Sequence, residues 1–258
     1  MMGESALIFL FLLGHALGDF YFQSSQAVKR KEQSPRYVLT HAIVYTTCMM
    51  FLLLIAYKFN MVLLGLIFLI FMTHLIVDMA KRKAEKTSGL PVIPQKTAKE
   101  YLFFIDQSLH IGLLVLFGFL FSAQLTPRLW FVELTPLEMG WSVHPVMVAA
   151  GFVFIIRPAS LAIEKILGVC EITPTVDSGF ANGGKIIGIL ERLLVYFLLL
   201  LGQFSTIGLV VAAKSLARFR DLDDRKCAEY YIIGTFLSLV VVGIVALITI
   251  ASPTIAGP

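Results

Sequence analysis

Residues 61–80 read MVLLGLIFLIFMTHLIVDMA, twenty residues with one His, one Asp and no other ionisable group. At 1.5 Å rise per residue such a run matches the roughly 30 Å hydrocarbon core of a bilayer, where a lone segment satisfies its backbone only as a helix. Comparable runs recur at roughly 5–23, 38–57, 101–123 and 145–167, with further apolar segments from about 186 onward. With 58% hydrophobic residues and 15% charged, the chain is too apolar for a soluble domain, in which about a quarter of residues are charged. The expected fold is all-α, a polytopic transmembrane bundle of about seven or eight spans. It reads as one membrane domain over 1–258, with no room for a separate soluble one.

The first residues carry Glu4 and no Lys or Arg, and His15 and Asp19 interrupt the apolar run behind them. A cleavable signal peptide has a basic start and a clean apolar stretch, so a retained span is expected. Cys48, Cys170 and Cys227 show no CxxC spacing and are given no role. The net charge of +4 sits in loops, which suits membrane topology and not nucleic-acid binding. Lys29, Arg30, Lys31 and Arg36 form one basic loop, and Lys81, Arg82, Lys83, Lys86, Lys96 and Lys99 another. The positive-inside rule makes both cytoplasmic, the N-terminus external, and the stretch from Gln124 to His144, with Trp130 and Trp141, external. Beyond residue 186, one long helix would carry Lys214, Arg218 and Arg220 outside. A break at Gly202-Gln203 is therefore expected, making a short hairpin ahead of a last span at about 229–251.

Ionisable residues inside such segments are costly, at roughly 2.5–3.5 kcal/mol for an Asp at a helix centre, and mark function by default. Three pairs stand out: His15 with Asp19, His74 with Asp78, and Asp106 with His110, each four residues apart and so on one helix face. Seven Asp and five His would give three such coincidences on the order of twice in a thousand trials, treating positions as independent. The third pair is reversed because its span runs outward. All three Asp then lie nearer the cytoplasm, their His one turn deeper, and His41 joins the same layer.

Carboxylates crowded in apolar surroundings call for a cation. His15, Asp19, His41, His74, Asp78, Asp106 and His110 are the candidate ligands, imidazole and carboxylate together suiting a divalent transition metal, zinc first among them. Seven exceed the four ligands of one zinc, so either two ions bind or some of the seven orient ligands and act as base. Asp19, Asp78 and Asp106 are the candidate catalytic bases; Gln23 and Gln107 are candidate hydrogen-bond partners of the ligands. The competing bland reading is that each His bonds its own Asp and the pairs merely cross-link helices. In the second half Arg157, Glu191, Arg192, Lys214, Arg218 and Glu229 form a further polar set. It is either a headgroup site for an amphiphilic substrate or a structural ion-pair network. Gly14 with Gly18, and Gly184 with Gly188, offer small faces for close helix approach.

These residues point to a metal-dependent hydrolase that takes a lipid-like substrate laterally from the cytoplasmic leaflet, the ion activating water and a spare Asp moving the proton. A transition-metal or proton-coupled transporter, and a metal-stabilised scaffold, are the rival readings. Residues 1–123 would build the site and 145–258 would close it. Nothing points to a particular oligomeric state.

The stretches HALGDFYFQ (15–23), THAIVYT around His41, THLIVDMAK (73–81) and DQSLH (106–110) resemble the bacterial membrane family catalogued as domain of unknown function 3307. GKIIGILER, AAKSLARF and EYYIIGTFLS resemble its extended members. The resemblance implies a bacterial cytoplasmic-membrane location and marks His15, Asp19, Gln23, His41, His74, Asp78, Asp106 and His110. More distantly, the pattern is similar to proteins labelled membrane-bound metal-dependent hydrolases.

Overall fold

A computed structural model of the chain describes residues 2–23, 34–87, 95–132, 134, 137–138, 142–170, 183–217 and 225–251. Eight helices dominate them: α1 (Met2–Ala16), α2 (Pro35–Ala56), α3 (Met61–Thr87), α4 (Gln95–Phe121), α5 (Pro145–Val169), α6 (Gly183–Leu200), α7 (Phe204–Ala217) and α8 (Arg225–Ala251). The only strands among the described residues are two-residue pieces, Leu137–Glu138 against Ser142–Val143. The protein is an all-α integral membrane bundle. By length and composition α2, α3, α4, α5 and α8 can cross a bilayer. The seven or eight expected spans are thus five full-length ones plus three lesser helices, since α1 and α7 are shorter and α6 carries Lys185, Glu191 and Arg192. Large apolar side chains such as Phe51, Phe68, Leu209 and Leu247 are exposed, as a lipid-facing surface requires.

The chain groups into two units. The first comprises residues 1–135 and 144–150, the second 136–143 and 151–254. In the first, α1 packs on α2 and α4, and α3 packs on the same two, so four helices enclose one interior. Ser34 caps α2, its hydroxyl accepting from the Arg36 N–H, with Pro35 at the first helical position. Asn60 caps α3 by accepting from Leu63 N–H at 2.7 Å. The α2–α3 turn is pinned where Lys58 N–H donates to Thr126 and Arg128 N–H to Ala56, both at 2.8 Å.

The interior faces of these helices change character at one level. Leu7 and Phe11 precede His15 on α1; Met49 and Leu53 follow His41 and Tyr45 on α2; Leu66 and Ile70 precede His74 on α3; Leu114 and Phe117 follow His110 on α4. Steps of three or four residues keep each series on one face, so an apolar plug ends in a polar layer.

In the second unit α6 packs on α7 and α8. The expected break is at Gly202, whose φ of +69° suits glycine, and Gln203 N–H closes the end of α6 on the Leu198 carbonyl at 2.8 Å. Lys214 on α7 pairs with Glu191 on α6, so the two helices run antiparallel as a hairpin. Tyr196 lies against Gly151, where an added Cβ would come within 2.0 Å of its hydroxyl, and exchanges a hydrogen bond with Thr249 at 3.1 Å.

Candidate metal centre

The first span does not remain α-helical to its end. Leu17–Tyr21 form a π turn, closed by the Phe22 N–H on the Leu17 carbonyl at 2.9 Å. Such turns insert one extra residue and re-aim side chains, often at functional sites. The turn carries Asp19 away from a stacked position over His15 and toward α2 and α3. Its Oδ1 is 3.1 Å from His41 Nε2 and 3.7 Å from His74 Nε2, whereas its Oδ2 is 3.8 Å from His15 Nδ1.

No paired His hydrogen-bonds the carboxylate of its own Asp. His15–Asp19, His74–Asp78 and His110–Asp106 are separated by 3.8, 3.6 and 3.5 Å. Simple cross-linking by intrahelical pairs is therefore not what the pairs do. The polar layer is instead knit between helices, and its atoms divide into two kinds.

The atoms of the first kind converge on one another. His41 Nε2 lies 3.8 Å from Asp78 Oδ2, and His74 Nε2 lies 3.6 Å from the same oxygen. Neither ring nitrogen of His74 makes a hydrogen bond although the residue is 2% exposed. Four donor atoms thus stand in a ring of contacts from 3.1 to 3.8 Å. Bonds of about 2.0–2.1 Å to a tetrahedral ion place neighbouring donors about 3.3–3.4 Å apart, and the contacts of 3.1, 3.6, 3.7 and 3.8 Å lie around that value, three of them above it. Among the described residues two triads, Asp19 with His41 and His74 and His74 with Asp78 and His110, bring ligand atoms within 4.8 Å of one another, and they share His74. His110 Nδ1 lies 2.9 Å from the Asp106 carbonyl and so carries the proton. Its Nε2 then holds a lone pair, buried and without a hydrogen bond.

The second kind is tied together by hydrogen bonds and lies beside the first. Gln107 donates to Asp106 Oδ2 at 3.1 Å and to Asp19 Oδ2 at 3.4 Å, which fixes its amide orientation. Its carbonyl oxygen must then accept from His15 Nε2, 3.1 Å away. His15 Nδ1 is left to accept from the Tyr45 hydroxyl at 3.3 Å. Lys81 donates to Asp106 Oδ2 at 2.9 Å. A directed hydrogen-bond chain therefore joins Tyr45, His15, Gln107, Asp106 and Lys81. The Lys81 side chain is 26% exposed, against 3% for Asp106.

All seven predicted His and Asp residues come together, and Gln107 is the partner foreseen. Gln23 lies half-buried just after the π turn. Tyr45 and Lys81 were missed. Tyr45 lies four residues after His41 and stacks on His74 with ring centroids 3.7 Å apart and planes at 11°. Its spacing was the available signal; Lys81, three residues after Asp78, looked like an ordinary loop charge. Gly14 and Gly18 admit α2, since added Cβ atoms would fall 2.7 Å from Met49 Sδ and 2.6 Å from Tyr45 Cδ2. Gly184 meets nothing within 4 Å and Gly188 only the Arg192 guanidinium, so the second small-residue step is not a helix contact.

The polar set of the second unit comes together in part. Glu191, Arg192 and Lys214 line a recess between α6, α7 and α8, beside Thr235 and Ser238. Arg192 Nε donates to the Ile155 carbonyl at 2.8 Å and its Nη2 to Ser160. Pro158 lacks an N–H and weakens the helix wall of α5 just there, and the guanidinium is spent on one α5 carbonyl and one α5 hydroxyl. Arg157 lies exposed on α5, and Glu229 pairs with Arg225 on exposed α8; neither lines the recess. Arg218 and Trp141 lie outside the described residues.

With the centre assembled, comparison with known proteins becomes informative. The family described as protein of unknown function (DUF3307) matches residues 7–135, half of the chain. The chain belongs to this family. No curated protein and no solved structure matches it. The matched stretch holds every residue of the candidate centre, including Tyr45, Lys81 and Gln107, so the candidate site lies in the family segment.

Proposed function

We propose that the protein is a metal-dependent hydrolase of a bacterial cytoplasmic membrane, N-terminus outside, acting on a lipid-like substrate reached from the cytoplasmic leaflet. The observation that carries this reading is the ring formed by His41 Nε2, His74 Nε2, Asp19 Oδ1 and Asp78 Oδ2, too wide for hydrogen bonds at three of its four contacts. Two carboxylates and two imidazoles at that spacing suit a divalent transition ion, zinc first. Such an ion supplies Lewis acidity and lowers the pKa of water toward 7.

The chain's own residues supply the rest. Gln107 holds Asp19 Oδ2 and so leaves Oδ1 facing His41 and His74. Asp106 keeps Oδ2 on Lys81 and Gln107, while its Oδ1 makes no hydrogen bond and can take a proton. Tyr45 packs His74 in place and orients His15. Lys81, the partly exposed end of the chain, links this network to the helix rim.

A structural role for the same ion is favoured by burial, His41, His74 and Asp78 being 7%, 2% and 7% exposed. One experiment separates the readings. Purified protein and a His41→Ala/His74→Ala variant are analysed for metal and assayed on liposomes bearing ester and phosphoester lipids. Metal and hydrolysis lost together support the enzyme. Metal without turnover on any lipid class supports the structural ion, and a metal-free, well-folded wild type refutes both.

A further inference from the structure

We infer that the recess between α6, α7 and α8 binds an anionic phospholipid, its phosphodiester held at one end and an acyl chain along the other. The recess lies wholly within the second unit, and the inference stands whether or not a metal binds in the first.

The lining residues sort by position along the helices. Lys214, near the end of α7, pairs with Glu191 on α6, and its ammonium lies 5.4 Å from the centroid of the Tyr231 ring near the start of α8. The three helices therefore succeed one another antiparallel. Glu191 with Arg192, Lys214 and Thr235 come first along the recess, and Val195, Val210 and Leu239 line it one helical turn beyond. The polar end is the end nearer the rim, since α7 stops at Ala217, one turn past Lys214.

That end carries more positive charge than its own groups cancel. Glu191 is the only carboxylate among the described residues lining the recess, and Lys214 takes it. Arg192 is 6% exposed, and the hydrogen bonds it makes run to neutral oxygens, those of Ile155 and Ser160. A guanidinium buried without an anion is costly, within a bilayer above all. Thr235 adds a second need, because it lines the recess at 9% exposure and its hydroxyl makes no hydrogen bond. One phosphodiester answers both. It accepts from the Thr235 hydroxyl and from the guanidinium, which has N–H donors beyond the two given to α5, and its single negative charge cancels the excess. The apolar wall one turn beyond is where an acyl chain joined to that phosphate would lie; a free phosphate would leave it bare.

The purified full-length protein, stripped of lipid in detergent, is titrated with phosphatidylglycerol, with phosphatidylcholine of the same chains and with inorganic phosphate, and bound molecules are counted by native mass spectrometry. Wild type should hold one phosphatidylglycerol about tenfold more tightly than phosphatidylcholine. Lys214→Met lets Glu191 answer to Arg192 and should abolish that preference, whereas Glu191→Gln raises the excess charge and should widen it. Thr235→Val keeps the side-chain shape without the hydroxyl and should weaken phosphatidylglycerol about tenfold. A purely structural ion-pair network predicts lower melting temperatures for both charge variants with lipid preference unmoved, and that result overturns the inference. So does wild type that holds phosphatidylcholine, or inorganic phosphate, as tightly as phosphatidylglycerol. Should a charge variant not fold, Thr235→Val decides.

Discussion

Gly18→Ala tests whether the proposed metal centre depends on the contact between the π turn and α2. An added Cβ would lie 2.6 Å from Tyr45 Cδ2 and 3.3 Å from its Cγ and Cε2. Carbon atoms rest at about 3.5–4.0 Å, so the ring must retreat by about 1 Å. It has nowhere to go. Tyr45 is 1% exposed, its ring stacked at 3.7 Å on the His74 imidazole and flanked by those of His15 and His41. Overpacking of this kind costs about 1–3 kcal/mol, offset by up to about 1 kcal/mol from replacing glycine in a helix. The net expectation is about 1–2 kcal/mol of lost stability. Metal binding should suffer more, because ligand positions tolerate only about 0.5 Å of displacement and supporting contacts contribute about 10–100-fold in affinity. The control is Gly112→Ala on α4, where a Cβ meets nothing within 4 Å. Thermal melting in detergent with and without zinc, and competition with a chelating dye, read both quantities. If Gly18→Ala binds zinc as tightly as wild type and melts no lower than Gly112→Ala, the packing argument is wrong.

Other perturbations address separate parts of the protein. Gln107→Leu removes the donor that orients Asp19 and should weaken zinc by about 10–100-fold with no change in stoichiometry, measured by the same competition. Arg192→Leu leaves the Ile155 carbonyl without its donor and should lower stability by about 1–3 kcal/mol while zinc content stays constant. Loss of zinc in that variant would contradict the assignment of Arg192 to the backbone of α5. His144, just ahead of α5, is 2% exposed, and its Nδ1 accepts the Val146 N–H. Burial pushes the His144 imidazole below its ordinary 6.5. The unfolded chain therefore takes up a proton first, and stability falls as pH drops through and below 6.5. His144→Gln should show a shallower loss of melting temperature between pH 7.5 and 5.5; an identical slope would remove His144 from the account.

The three intrahelical pairs were visible because a residue and the one four places on share a face in any helix, whatever surrounds it. His41, a lone histidine, was placed by topology and does join the layer. Gln107 could be named as a supporting partner only because it sits beside Asp106. What spacing could not reveal was which partners hold these groups. Asp106 and His15, candidate ligands by spacing, are also held by Lys81, Gln107 and Tyr45, and those partners come from other helices. The polar set of the second unit was over-collected for the same reason. Arg157 and Glu229 share a region with Glu191 and Lys214 in the sequence, but helix rotation faces them outward.

By itself the sequence determined the membrane-spanning all-α architecture, the break at Gly202 and the level at which polar groups gather. Each follows from local rules: apolar run length against bilayer thickness, glycine's access to positive φ, and helical periodicity. Tertiary structure alone decided that α1 ends in a π turn and that Asp19 answers to His41 and His74. It also decided that Lys81 neutralises Asp106. Those outcomes depend on which faces of four helices meet and on atoms a few ångströms apart from residues up to 92 positions distant, as in His15 to Gln107. Spacing along one helix carries no information about distances of that kind.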